Sequence, residues 1–124
     1  MNRGLVSQYI HRLKLDVVLL QETHLQDNRC HFLGRGACTT LAHAGFTSGS
    51  RGVAILIKKT LPFAPSTFWI DPGGSYAGVR GIRGKIDTTL ISVYAPSRLQ
   101  DQTLAKVAEI LLETGSTLHI VGGD

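Results

Sequence analysis

Two uninterrupted apolar runs, each closed by a carboxylate, constrain this chain more than any other feature in it. The first is Asp16-Val17-Val18-Leu19-Leu20-Gln21-Glu22 and the second is Leu118-His119-Ile120-Val121-Gly122-Gly123-Asp124. A short run that is continuous rather than alternating reads as a strand buried on both faces, because each face then needs apolar side chains. Each of these strands delivers an acid at its C-terminal mouth, where open α/β sheets place their ligands. Two carboxylates so placed point to a divalent-metal site.

The remaining elements can be read around those two. Leu5, Tyr9 and Leu13, with Val6 and Ile10 beside them, predict a helix over about residues 3 to 14. Residues 26 to 51 are rich in Gly, Ser and Thr and read as loop, with one weak strand around Thr40 to His43. Gly52 to Lys58 is a strand closed by Lys59-Thr60-Leu61-Pro62, since proline cannot donate to a ladder. Phe68-Trp69-Ile70 reads as an edge strand before the turn Asp71-Pro72-Gly73-Gly74. Ser75 to Ile86 and Thr88 to Tyr94 form a hairpin-like pair linked by Lys85 to Thr88, with Gly78, Gly81 and Gly84 marking bulges or close backbone packing. Ser97 and Gln100 can form a capping box for a second helix with an apolar face of Leu104, Val107, Ala108, Leu111 and Leu112, stopped by Gly115.

Composition sets the outer limits. With 124 residues, 43% of them hydrophobic, the chain can build one core, so one domain over 1–124 is expected. A net charge of +4 permits an anionic partner without demonstrating one. Cys30 and Cys38 stand without a disulfide framework or a secretory leader, which implies reduced thiols and an intracellular protein of nucleus or cytoplasm. Their spacing with His31 and His43 matches no compact zinc knuckle. No apolar run approaches the ~20 residues of a membrane span, so a soluble protein is expected.

Four segments now carry a resemblance: Gln21-Glu22-Thr23-His24-Leu25 after an apolar strand, Arg51-Gly52-Val53-Ala54-Ile55-Leu56-Ile57, Val93-Tyr94-Ala95-Pro96, and Val121-Gly122-Gly123-Asp124. In order and spacing the chain resembles the endonuclease/exonuclease/phosphatase superfamily, and within it the apurinic-type endonuclease domain of LINE-type retrotransposons. The resemblance implies an α/β fold of the α+β sandwich type. The chain is then about half of a four-layer α/β-sandwich domain, mostly one mixed sheet with two flanking helices.

It also implies roles for particular residues. Glu22 matches the glutamate that binds catalytic Mg2+, a hard cation that favours carboxylate oxygen and keeps several waters. Tyr94 matches the tyrosine whose hydroxyl faces the scissile phosphate, and Asp124 the aspartate that orients or deprotonates the attacking water. Gln21 and His24 flank the glutamate as groups that support it or contact DNA. The chain also departs from the pattern. Asn2 reads as a helix-start residue rather than the asparagine that ends the family's first strand. The asparagine two positions after the aspartate, and the closing Ser-Asp-His segment, fall beyond Asp124.

The implied function is a fragment or remnant of a magnesium-dependent endonuclease acting on DNA, inactive as it stands because metal-assisted phosphodiester hydrolysis needs its groups held together as a unit. The alternative is a non-catalytic module derived from a retrotransposon that binds nucleic acid or protein. Arg80, Arg83 and Lys85 either line a phosphate-facing surface or form a charged edge that blocks sheet pairing. With the second sheet of the sandwich mostly missing, one apolar sheet face is expected to stand exposed and to call for a protein partner.

Overall fold

A computed structural model of the protein describes residues 16–23, 38–45, 52–95 and 100–123. In chain order they form β1 (Val17–Gln21), β2 (Cys38–Ala44), β3 (Val53–Lys58), β4 (Ala64–Ile70), β5 (Tyr76–Arg83), β6 (Ile86–Val93), α1 (Gln100–Thr114) and β7 (Leu118–Gly123). The helix expected near the start lies outside the described residues, so α1 is the one helix among them.

The expectation of mostly one mixed sheet is corrected. The strands divide into two sheets, β1-β3-β2 and β4-β5-β6-β7. The first is antiparallel throughout, and in the second only β6 and β7 run parallel. The division falls at the proline-containing link after β3. That link turns back on itself, Leu61 N–H donating to Lys58 O at 3.0 Å, and is too short for a crossover within one sheet. The chain therefore steps to a second layer.

Three apolar clusters record the layering. Between the sheets lie Ala42, Ala44, Val53, Ile55, Ala77, Val79 and Leu90, with Val17, Leu19, Phe63 and Tyr94 packed against them. On the opposite face of the first sheet, Ala54 and Leu56 are buried with Cys38, beside Val18 and Leu20. On the outer face of the second, Ile91 and Val93 meet Val107 and Ile110 of α1. The period-2 alternation of each strand thus serves a different layer on each side.

The inner side of the first sheet is covered, because β4 to β7 supply a second sheet from within the chain. Apolar exposure remains along β7, at Leu118, Ile120 and Val121, and elsewhere on the second sheet at Phe68, Ile70, Ile82 and Ile86. Among the described residues both opening runs are edge strands, β1 half-buried and β7 largely exposed, which corrects the expectation that each is buried on both faces.

The hairpin is tighter than expected. Arg83 pairs with Ile86, so the turn is Gly84-Lys85, with Gly84 at φ 63°. Gly81 does mark a close approach, since a Cβ there would stand 2.5 Å from Ala64 O. In α1 the buried stripe is Thr103, Val107, Ile110 and Thr114, while Leu104 and Leu112 point to solvent. Gly115 ends that helix at φ 63°, as expected of a helix-stopping glycine.

Candidate active site

The C-terminal ends of β1, β6 and β7 come together at one end of the sandwich, although β1 belongs to one sheet and the other two to its neighbour. Among the described residues the strand that precedes Glu22 and the strand that precedes Asp124 are facing edges of the two sheets. Two contacts fix the juxtaposition. Gln21 Nε2 donates to Ser92 Oγ of β6 at 3.0 Å, and Ser92 Oγ donates in turn to Leu20 O at 2.8 Å. Gly122 lies so close to β1 that a Cβ on it would come within 2.7 Å of Leu19 Cδ1.

Glu22 follows Gln21 directly, and its side chain is exposed at this end. Its φ is 53°, and it is the one non-glycine in the left-handed region among the described residues. That conformation costs an ordinary residue about 1 to 2 kcal/mol, and such residues collect at functional sites. Immediately after it, Thr23 N–H donates to Gly52 O at 3.0 Å, and Thr23 Oγ1 lies 3.1 Å from His43 Nε2. Both side chains are buried.

Tyr94 leaves β6 on the sandwich side, half-buried against the inter-sheet core, with its N–H bonded to Ser75 O at 2.7 Å. Beside it, Gly123 pairs with Val93, and a Cβ on Gly123 would meet Val93 O at 2.6 Å. Glycine is what lets β7 run this close to β6 up to the residue before Asp124. Asp124 and His24 lie outside the described residues.

Sequence reasoning named Gln21 but not its destination: its amide faces inward, to Ser92 and also to Leu19 O at 3.3 Å. Ser92 was not singled out, Thr23 stood only within the quoted motif, and His43 was weighed only as a zinc ligand and a strand residue. A signal existed for Ser92, a lone polar residue between Ile91 and Val93 on a strand otherwise buried there, because a buried hydroxyl needs a partner.

The basic residues of the hairpin lie elsewhere. Arg80 grips Asp87 with two bonds, Nε to Oδ1 at 3.1 Å and Nη2 to Oδ2 at 2.7 Å, and Ser116 Oγ donates to Asp87 Oδ1 at 3.0 Å. Arg80 is thus engaged in an ion pair, whereas Arg83 and Lys85 stand exposed at the turn. Among the described residues no group of three or more His, Cys, Asp or Glu is arranged to hold a metal, and no helix is long and apolar enough to cross a membrane. The donor chemistry at Glu22, an exposed hard carboxylate oxygen, suits Mg2+, which is commonly held by one or two carboxylates plus water.

Comparison with known proteins adds kinship to this geometry. The Endonuclease/Exonuclease/phosphatase family model matches residues 2–124. Among solved structures, the endonuclease domain of TRAS1, a telomere-specific non-LTR retrotransposon, matches with a TM-score of 0.70 at 16% identity, over 98% of this chain and 52% of that one. Truncated Caenorhabditis elegans TDP2 matches with a TM-score of 0.68 at 18% identity, over 98% of this chain and 53% of that one. The chain therefore spans about half the length of these solved structures, and at such identities the likeness speaks to fold alone.

Proposed function

The chain belongs to the endonuclease/exonuclease/phosphatase family, and from that premise we propose that it is the Glu22-bearing half of a magnesium-dependent phosphodiesterase that cuts DNA. The reading rests on one observation above all: the ends of β1 and β6 meet across the two sheets through the Gln21–Ser92–Leu20 chain of hydrogen bonds, and β7 joins them by pairing with β6 and by the close approach of Gly122 to Leu19. Membership of a family that includes endonucleases supports a nucleic-acid substrate.

Glu22 is the residue that would hold Mg2+, which when bound supplies Lewis-acid polarisation of a phosphoryl oxygen. Tyr94 is the group whose hydroxyl would donate to a phosphate oxygen as charge develops there. Asp124 would orient the attacking water and accept its proton, while Gln21 ties β1 to β6 and His24 stands next in line to contact the substrate. Hydrolysis of a phosphodiester requires several such groups to act together, so these 124 residues alone are expected to bind the metal without nicking DNA.

Magnesium-dependent melting of the 124-residue chain, compared with Glu22→Gln, tests the metal site. A melting temperature that rises with millimolar magnesium only when Glu22 is present supports it, and an identical response from both chains removes it. A magnesium-dependent nick in supercoiled plasmid, lost in Glu22→Ala, would show that the chain cuts unaided. The alternative, a non-catalytic module using exposed Arg83 and Lys85, predicts DNA retention indifferent to both magnesium and Glu22.

A further inference from the structure

We infer that Thr23, His43 and Ser92 are positioning residues that clamp Glu22 from the two faces of the first sheet and hold its carboxylate in the left-handed turn. The inference rests on the proposed metal role of Glu22 and adds to it the means by which that side chain is aimed.

The alternation of β1 sets up the problem. Val17 and Leu19 face the inter-sheet core, and Gln21, two residues on, does the same by reaching Ser92. In a continued strand Thr23 would follow them to that side. It does not. Thr23 meets His43, which pairs with Ala54. Ala54 belongs to the cluster on the opposite face, whereas the neighbours of His43, Ala42 and Ala44, face the inter-sheet core. The positive φ at Glu22 is where the chain makes this change of side.

Glu22 therefore stands between two anchors that pull its neighbours to opposite faces. On the inner face, Ser92 accepts from Gln21 Nε2 at 3.0 Å and donates to Leu20 O at 2.8 Å, fixing both a side chain and a main-chain carbonyl of β1. On the outer face, Thr23 is fixed through its main chain to Gly52 O at 3.0 Å and through its hydroxyl to His43 at 3.1 Å. Ser92 is fully buried, Thr23 is 2% exposed and His43 is 8% exposed, so solvent does not compete for these bonds. An exposed carboxylate on a free strand end would sample many directions; one held at both neighbours starts in its working orientation.

The test is an NMR comparison of the full isotope-labelled chain with Thr23→Val, which keeps shape and loses the hydroxyl, with Ser92→Ala, and with Thr23→Ser, which restores a hydroxyl. A residue at positive φ shows an unusually strong cross-peak between its own amide and α protons. That peak at Glu22 reports the turn without reference to metal. Magnesium titration followed at the Glu22 amide reports the consequence.

The clamp predicts that Thr23→Val and Ser92→Ala still melt cooperatively, lose the strong Glu22 cross-peak, and bind magnesium about tenfold to a hundredfold more weakly, the range seen when groups orienting a metal ligand are removed. Thr23→Ser should behave as the parent chain. If Ser92→Ala fails to fold, Thr23→Val and His43→Gln on the other face carry the comparison. A parent-like cross-peak and parent-like magnesium affinity in the valine and alanine variants overturn the clamp while leaving the metal role of Glu22 intact. A parent chain blind to magnesium, with the cross-peak still lost in the variants, removes the metal role and leaves the clamp as a conformational device.

Discussion

Glu22 and Asp87 show how differently two carboxylates can be used in one small sheet structure. Glu22 is exposed, held at φ 53°, and open at the strand end. Asp87 is consumed by structure: the hydrogen bonds from the Arg80 guanidinium, and then from Ser116, hold its carboxyl below the usual carboxylate range, although some desolvation works the other way. A carboxylate whose folded form takes up a proton less readily than its unfolded form stabilises the fold above its unfolded pKa and loses that contribution as pH falls through the depressed folded value. Both side chains of the pair are about a third exposed, 33% for Arg80 and 32% for Asp87, so the contribution is modest. Asp87→Asn is therefore expected to melt below the parent chain at neutral pH, with the gap closing as the solution is acidified beneath the ordinary Asp range near ~3.9. Melting curves across that interval check it. A gap that stays constant with pH would assign the effect to packing.

The elements divide according to how local their causes are. The buried stripe of α1 is Thr103, Val107, Ile110 and Thr114, at spacings of four, three and four, and its Val107 and Ile110 meet Ile91 and Val93. Ile110→Ala should cost about 2 to 5 kcal/mol, as truncations of buried aliphatic side chains do. Leu112, 88% exposed one residue beyond the half-buried Leu111, should tolerate alanine within about 0.5 kcal/mol. Denaturant unfolding of the two variants separates them, and similar losses would mean that the helix packs by a different face. The existence of α1, its glycine stop and the strands around Gly52 to Lys58 and Thr88 to Tyr94 could be read from periodicity, because those signals are local. The stripe could not, since two of its four members are threonines, of which Thr114 turns its Oγ1 to Leu111 O at 3.3 Å and to His119 Nε2 at 3.0 Å.

The two sheets face each other with β1 at one edge of the first and β7 at one edge of the second, and both edges fall on the same flank. That flank is where Leu118 and Ile120 are 39% exposed, and among the described residues β7 pairs only with β6. Glu22 stood out in the sequence as the acid that follows an apolar run, and Tyr94 only through the resemblance of Val93-Tyr94-Ala95-Pro96 to the family. The partners Ser92 and His43 were not recognisable as such, for a physical reason: Gln21 and Ser92 are 71 positions apart, and which residue lies opposite Gln21 depends on sheet-on-sheet packing that no local pattern encodes. The same packing decides the site, because it alone joins the end of β1 to the ends of β6 and β7. Titrating the labelled chain with Mn2+, a paramagnetic substitute for Mg2+, and mapping which amide signals broaden addresses that junction. Broadening centred on Glu22, Tyr94 and Gly123 together, and abolished by Glu22→Gln, is the expected result. Broadening that spares Tyr94 and Gly123, or that persists without Glu22, would mean that the three strand ends do not share one metal-binding site.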